Sequence, residues 1–361
     1  MKILLLGEFS SFHKNLKDGL IALNHDVTIA SAGDGWKELT GDINLGSNRT
    51  GFKGNLEKII KLFKYYNYFN DYDVVQFIKP CPFVRALGIN RLIVSKLIKN
   101  NKKVFLVGAG ATDENSVIAD FFETKFKYPQ LYQEIKKNQP LLWSQTPKGR
   151  NYNDWLLKSI NGYIPIMYEY AQGYRNISCS KLCSTVPIPI NVDKIVYEKN
   201  IVGKKIVFFH GIIREGVKGT PLIRRAMKRL ENNYPSEVIC IIDGKMPLDK
   251  YLELLKKVNV VVDQTYFSSN AMNALYSLAL GKVVLGGGEP ESLKEFELKE
   301  SPVIPIKPNV DDIYRELETL VKSRAKITEI GEESRKFVEN NHDYKIIAQR
   351  YVELWTRPKV R

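Results

Sequence analysis

The chain has 361 residues, 44% hydrophobic and 26% charged, an ordinary globular composition whose length predicts two domains. Its formal net charge of +14 points to anionic ligands or surfaces: phosphates, nucleic acid or anionic lipid. The four cysteines, Cys81, Cys179, Cys183 and Cys240, come without a second close pair or a nearby histidine, which argues against a zinc site and a disulfide framework and fits a reducing cytosol.

The first residues, MKILLLGEFSSF, hold a short apolar run from Ile3 to Leu6 that ends at Gly7. The run is too short for a signal segment or a bilayer span and reads as a buried strand. No stretch of about eighteen apolar residues occurs elsewhere, so any membrane contact is expected to be peripheral. Strands are then expected at 2–6, 26–30, 73–78, 103–107 and 162–166, with helices such as 13–24 and 85–100 between them. A second series follows. It has strands near 205–209, 238–242, 259–262, 282–285 and 303–306, and helices over 221–233, 248–257, 270–280, 311–323 and 328–340. Short apolar strands alternating with amphipathic helices predict parallel α/β sheets. The predicted domains are residues 1–195 and 203–342, separated by the polar, irregular stretch IPINVDKIVYEKNIVGK. The last segment, 343–361, carries a helix with Tyr344, Ile347, Ala348, Tyr351 and Leu354 at helical spacing. It is expected to pack back on the first domain.

The sharpest local signal is FFHGIIREGVKGT, residues 208–220. An apolar strand stops at His210-Gly211, two long cations follow four residues apart, and a helix starts after Gly219. Ligands of α/β sheets bind outside the carboxyl ends of the strands, where arginine suits bidentate phosphate contact and lysine adds a point charge. The alternative is a solvated loop with two surface cations.

Taken in order, four stretches of the second half resemble the nucleotide-sugar domain of the family 4 (group 1) GT-B glycosyltransferases. They are HGIIREGVKG, then VVVDQT with FSSNAMNALYSLALGKVVLGG, then GGGEPESL, and finally NHDYKIIAQRYVELW. The first half is similar in MKILLLGEFSSFHKNLKDGLIALNHDVTIAS, where His25 falls at the start of the second strand, and in IPIPINVDKI. The resemblance covers nearly the whole chain. It implies two Rossmann-like, doubly wound domains facing a central cleft, with a C-terminal helix crossing back to the first. It also implies transfer of a sugar from a nucleotide-sugar donor, UDP- or GDP-linked, to a saccharide or lipid-linked saccharide acceptor in surface or capsular polysaccharide synthesis. The implied mechanism retains the anomeric configuration, with neither metal nor other cofactor. A departure accompanies the match: the family's two glutamates across this segment are replaced by Ser268 and Tyr276.

On that resemblance Arg214 and Lys218 match the diphosphate-binding pair, and preorganised cations lower the barrier as charge builds on the leaving group. Gly211 belongs to the same loop. The helix expected to begin near Ser269-Asn270 offers unpaired amides and a positive dipole end to a phosphate, with Ser268, Ser269, Asn270 and Ala271 small enough to let it approach. Serine and asparagine are also ordinary helix caps. Glu289 and Glu291 are candidates to supply the missing carboxylate. Gly7 permits close backbone approach to a ligand or is a plain turn. His13 faces the acceptor or is a solvated or capping side chain. Asp113, in VFLVGAGATDEN, orients the acceptor or sugar, or caps the following 115–122 helix.

Residues 1–200 carry 27 Lys and Arg against 18 Asp and Glu, +9 of the total +14. The segment KGNLEKIIKLFKYYNYF, 53–69, mixes lysines with apolar and aromatic residues. Such a helix lies on an anionic membrane surface, or packs its apolar face on its own sheet. TKFKYPQLYQEIKK is a weaker second patch. Competing functions are a nucleotide-sugar epimerase of the same fold and a non-catalytic nucleotide-sugar-binding protein. Nucleic acid is not an expected partner, because the lysines are dispersed and no binding motif is present.

Overall fold

The structure, a computed structural model, describes residues 1–33, 41–110, 112–138, 141–212, 215–244 and 246–357. In chain order the elements begin with β1 (Lys2–Leu6), α1 (Phe12–Ala22), β2 (Asp26–Ser31), β3 (Ile43–Asn44), α2 (Gly51–Tyr65), β4 (Val74–Phe77) and α3 (Ile89–Asn100). Next come β5 (Lys103–Gly108), α4 (Ser116–Thr124), α5 (Pro129–Asn138), α6 (Pro147–Ser159), β6 (Gly162–Pro165) and α7 (Tyr168–Arg175). The second series is β7 (Ile206–Ile212), α8 (Thr220–Asn233), β8 (Val238–Gly244), α9 (Leu248–Lys256), β9 (Val260–Val262), α10 (Met272–Ala279) and β10 (Val283–Gly286). It closes with α11 (Pro290–Glu295), β11 (Ile304–Pro305), α12 (Val310–Lys322), α13 (Lys326–Asn341) and α14 (Tyr344–Thr356).

The chain divides into two compact units. One comprises Met1–Lys125, Pro140–Pro189 and Tyr344–Arg361; the other comprises Phe126–Gln139 and Ile190–Asp343. Sequence reading placed 126–139 in the first domain, whereas here it packs with the second unit. The reason is tertiary: Lys127 and Tyr128 find their partners there.

Among the described residues the first unit has a six-stranded sheet in the order β3-β2-β1-β4-β5-β6 and the second a five-stranded sheet in the order β11-β10-β9-β7-β8, with all pairings parallel. Strands covered on both faces read as unbroken apolar runs, and Ile3 to Leu6 in β1 have no solvent exposure. In the second unit Ile223, Ala226, Met227 and Leu230 of α8 and Ile313, Leu317 and Leu320 of α12 join Phe208, Val260 and Val283 in one core. Their three- and four-residue spacing is the helical stripe that such a core needs. The short β3 and helices α5 to α7 were not anticipated from sequence.

Helix α14 belongs to the first unit and packs against α1. The Phe12 and Tyr351 rings meet edge-on at 6.4 Å between centroids, and Ile347, Ala348, Tyr351 and Trp355 are buried. Gly19 makes this close approach feasible. A Cβ there would lie 2.2 Å from the Tyr344 carbonyl oxygen and 2.8 Å from Ala348 Cβ. Alanine gains about 1 kcal/mol over glycine in helix propensity, but overpacking costs roughly 1–3 kcal/mol, and the nearest obstacle is backbone. Gly19→Ala is therefore expected to lower the urea midpoint. Gly203→Ala, with nothing within 4 Å, should leave it in place. An unchanged midpoint for Gly19→Ala would refute the α1–α14 packing.

Candidate functional site

In the second sheet the chain starts at β7, places β8 on one side, and builds β9, β10 and β11 on the other. The strand order therefore reverses between β7 and β9. In doubly wound sheets the crevice outside the strand ends at such a switch point takes the ligand. Three pieces of chain meet there: the end of β7, the 215–219 loop leading into α8, and residues 263–265 after β9.

Lys218 Nζ donates to Asp263 Oδ1 at 2.8 Å, with side-chain exposures of 11% and 1%. Asn273 Nδ2 donates to the same carboxylate oxygen, and the Tyr251 hydroxyl donates to Asn273 Oδ1. Burial pushes the Tyr251 phenol up, with the Asp263 charge adding to the effect, so it stays a neutral donor. The loop backbone is fixed as well, because Thr265 N donates to the Lys218 carbonyl at 3.2 Å. Gly219 has φ +74° and caps α8, and a Cβ on it would lie 2.3 Å from Thr265 Oγ1. Removing an ammonium and a carboxylate from water costs several kcal/mol each. A single pair at the end of two strands is therefore a poor device for stability. It is a suitable one for holding a cation in place with two of its three donors unused among the described residues.

His210 locks the switch point from beneath. Its Nδ1 lies 2.7 Å from the Val262 carbonyl oxygen and its Nε2 lies 2.8 Å from Thr220 Oγ1. A carbonyl only accepts, so Nδ1 carries the proton and Nε2 accepts from threonine. The ring is neutral: burial, with Lys218 adding to it, takes its pKa down to about 4.

The other predicted residues of this unit lie in adjoining loops. Gly211 is within β7. The Ser268 carbonyl accepts from Gly288 N at 2.8 Å and Glu289 N at 3.2 Å, and the Ser269 carbonyl accepts from Gln264 Nε2 at 3.1 Å. A Cβ on Gly287 would lie 2.3 Å from the Ser269 oxygen, so the glycine run lets the two loops touch. Because the Ser268 carbonyl is tied to the loop after β10 and the Ser269 carbonyl to Gln264 of its own loop, α10 does not start at Ser269-Asn270. It begins at Met272 with Ala271 as its N-cap and no side-chain cap, so serine or asparagine capping does not apply. Ser268 and Tyr276, at the positions of the expected glutamates, are both buried. Arg214 lies outside the described residues.

Glu289 and Glu291 are engaged by the segment that precedes α5. Lys127 Nζ pairs with Glu289 and, at 2.8 Å, with Glu291 Oε1, while the Tyr128 hydroxyl donates to Glu289 Oε1 at 2.6 Å. Burial raises the Glu291 carboxyl, but the hydrogen bond and charge of Lys127 outweigh it and hold the group below its usual range. Phe126 meets Phe267 and Tyr128 meets Tyr266 through their rings. Farther along, Glu134 of α5 lies against Gly216, where an added Cβ would strike its carboxylate. Residues 126–138 thus form a strap over the loops of the candidate site. The weak basic patch read from the sequence is this strap.

The first sheet reverses its order between β1 and β4. Gly7 follows β1 at φ +88°. Glu8, which was not singled out from sequence, accepts from His13 N at 3.3 Å and Lys14 N at 2.9 Å, filling the start of α1 with its own carboxylate. The His13 ring has no solvent exposure. Its Nδ1 donates to the Gly7 carbonyl at 2.6 Å and its Nε2 accepts from Gln76 at 3.3 Å, so it is neither a solvated side chain nor a cap. Burial takes its pKa down to about 4. Asp113 is half-buried in the turn after β5, where its carbonyl accepts from Ser144 N at 2.9 Å. The cap of α4 is Asn115, which accepts from Ile118 N at 3.2 Å. Next to Asp113, the Glu114 carboxylate is buried, accepts from Cys81 N at 3.1 Å and lies 3.5 Å from Lys79 Nζ. Burial raises its pKa.

The missed acids Glu8 and Asp263 share one legible signal, since each stands within two residues of the end of a strand's apolar run. Among the described residues no group of three or more His, Cys, Asp or Glu is placed to hold a metal ion.

No protein-family model matches the chain, and no curated protein matches it in sequence. Solved structures match in fold. Sucrose-phosphate synthase from Thermosynechococcus elongatus aligns with a TM-score of 0.62 at 12% identity over 98% of each chain. HepE of Anabaena, in complex with UDP and glucose, aligns with a TM-score of 0.61 at 11% identity over 98% of each chain. UDP-GlcNAc 2-epimerase from Neisseria meningitidis, bound to UDP-GlcNAc, aligns with a TM-score of 0.54 at 13% identity over 98% of this chain and 99% of its own. These likenesses, with the two parallel sheets, show that the chain has the GT-B fold.

The two buried histidines make stability depend on pH. Each has a folded pKa near 4 against 6.5 in the exposed state, so the unfolded chain binds protons first and stability rises with pH. Their contribution is full above pH 6.5 and is lost as pH falls toward 4. The melting temperature should fall through that window, and less steeply in His13→Gln and His210→Gln variants. Identical slopes in the variants and the parent would contradict the assigned neutral tautomers.

Proposed function

We propose that the chain is a glycosyltransferase that moves a sugar from a nucleotide-sugar donor to a saccharide or lipid-linked saccharide acceptor. The observation that carries this reading is the Lys218–Asp263 pair at the switch point of the second sheet. The fold shared with structures whose names specify UDP or UDP-sugar ligands adds support. Two buried side-chain oxygens of the neighbouring loop, Thr265 Oγ1 and Asn270 Oδ1, have no hydrogen-bond partner among the described residues. A ligand's polar groups would satisfy them, and orphaned buried polar atoms are rare without such a reason.

In this reading Lys218, held by Asp263, donates to the diphosphate, and Arg214 is its proposed companion. The bond between the anomeric carbon and the diphosphate oxygen breaks with its electron pair going to the diphosphate. The acceptor oxygen bonds to the same carbon, from the same face, and its proton passes to a leaving phosphate oxygen. Asn273, itself held by the Tyr251 hydroxyl, donates to the same Asp263 oxygen and fixes the carboxylate that orients the lysine. Gly7 and Gly211 would allow close approach of donor and backbone, and the Ser268–Ala271 loop would contact the phosphates. Glu289 and Glu291 would act through the strap that neutralises them. On the acceptor side Asp113 is proposed to contact the acceptor hydroxyl. His13 would act from beneath, by fixing the Gly7 turn. Membership of family 4, retention, metal independence, hexosyl transfer, a UDP- or GDP-linked donor, a role in surface or capsular polysaccharide and a place at the inner face of the plasma membrane complete the proposal. No helix among the described residues is long and apolar enough to cross a membrane.

The epimerase likeness favours a second reading, in which the nucleotide-sugar is the only substrate. An epimerised nucleotide-sugar formed without acceptor would establish it. Both His13 and His210 are neutral with both nitrogens engaged, which leaves neither as its base.

Thermal shift against UDP, GDP, CMP, ADP and dTDP tests donor binding. A nucleotide at one hundred times its dissociation constant adds about 2.7 kcal/mol to stability. UDP or GDP is expected to raise the melting temperature. Lys218→Ala alone would strand the buried Asp263 charge, a cost of roughly 3–5 kcal/mol, so the test variant is Lys218→Ala with Asp263→Asn. It should fold, lose the nucleotide shift, and lose about 100- to 1,000-fold in turnover. A shift and turnover unaffected by the double substitution would remove the assignment.

A further inference from the structure

Helix α2 turns its apolar stripe outward. Phe52 is 83% exposed, Leu56 46%, Ile60 60% and Phe63 55%, and the buried residues of this helix are Gly54 and Leu62. At 100° per residue the four exposed side chains fall within one arc, and Lys53 and Lys64 lie along its edge. The side that packs inward is the narrow one, where a glycine lets the helix approach the Arg49 carbonyl. The alternative of an apolar face packed on its own sheet therefore does not hold. Contiguous apolar surface of this kind marks an interaction site.

The charge around the stripe identifies the occupant. Among the described residues Lys53, Lys58 and Lys64 form no ion pair with a carboxylate. The helix's one acid, Glu57, is taken by Ser47 Oγ at 2.7 Å and Lys61 at 3.1 Å. Beyond the helix end, Tyr68 is exposed and Lys96 of α3 stands over the Tyr66 ring at 5.1 Å. A second copy of the chain would bring lysines against lysines across a two-fold axis with no carboxylate between them. A surface that is apolar below and anionic above answers both features, with side chains entering the acyl boundary and lysines among the headgroups. We infer that α2 is a membrane-docking helix that seats the chain on an anionic lipid bilayer. This inference rests on α2 alone and is independent of the sugar-transfer reading.

Cosedimentation of the full chain with vesicles of phosphatidylcholine, with and without phosphatidylglycerol, tests it. At low salt the chain should pellet with the anionic vesicles and stay in solution with the neutral ones. Phe52→Ser with Phe63→Ser should abolish pelleting without altering the circular dichroism or melting temperature, since both side chains are exposed. Lys53→Ala with Lys64→Ala should weaken partitioning about thirtyfold, close to fivefold per lysine at an anionic surface. Absence of pelleting, or pelleting that ignores both double substitutions, would overturn the inference. So would a lipid-free dimer in sedimentation equilibrium that Phe52→Ser with Phe63→Ser dissociates.

Discussion

An ammonium group held almost out of water by one carboxylate governs the second unit. Lys218 and Asp263 sit where two parallel strands end and the strand order reverses. Burying both charges has a cost, which the groups around the pair offset. Asn273 donates a further hydrogen bond to the carboxylate and is itself held by the Tyr251 hydroxyl. His210 and Thr220 tie β7, β9 and the start of α8 together with a neutral ring, which adds no second positive charge beside the lysine. Gly219 has the left-handed backbone that brings the loop against Thr265. The lysine is thereby preorganised, and a dianionic ligand would meet a fixed cation. Preorganisation of that kind is where electrostatic catalysis gains its advantage.

The strap of residues 126–138 follows the same logic. Glu289 and Glu291 stand at the start of α11, close in sequence to the glycine run that packs on the Ser268–Ser269 loop. Left alone, two carboxylates there would oppose an anionic ligand. Lys127 and Tyr128 neutralise and cover them. In the first unit, Glu8 fills the amide-rich start of α1 with its own charge. The two units therefore treat anions differently: one holds a cation ready at its switch point, and the other has answered its helix terminus internally. Under the proposed sugar transfer, that asymmetry would suit a donor phosphate on the second unit and a neutral hydroxyl acceptor on the first.

Much of the fold was legible because buried parallel strands advertise themselves. The short runs KILLL and KIVFF, each ended by a glycine turn or loop, read as buried strands, and the spacing of Tyr344, Ile347, Ala348, Tyr351 and Leu354 marked the buried stripe of α14. Other features depended on contacts distant in sequence. Asp263 lies 45 residues from Lys218, and an acid after a strand looks like any solvated turn residue until its partner is in place. The start of α10 was misread because serine and asparagine cap helices well, while here the Ser268 carbonyl is bound by the loop that follows the next strand and the Ser269 carbonyl by Gln264 of its own loop. The strap was hidden because Lys127, Tyr128 and the α5 lysines read as a surface patch. For α2, periodicity gave an amphipathic helix but not which face turns inward, and only packing decides that.

A crystal structure of the chain with UDP bound tests the central claim most directly. Diphosphate oxygens at about 2.7–3.2 Å from Lys218 Nζ, with Asp263 still paired to the same lysine, are the expected result. UDP held elsewhere on the chain, with the Lys218–Asp263 pair untouched, would contradict the assignment of this switch point as the donor site.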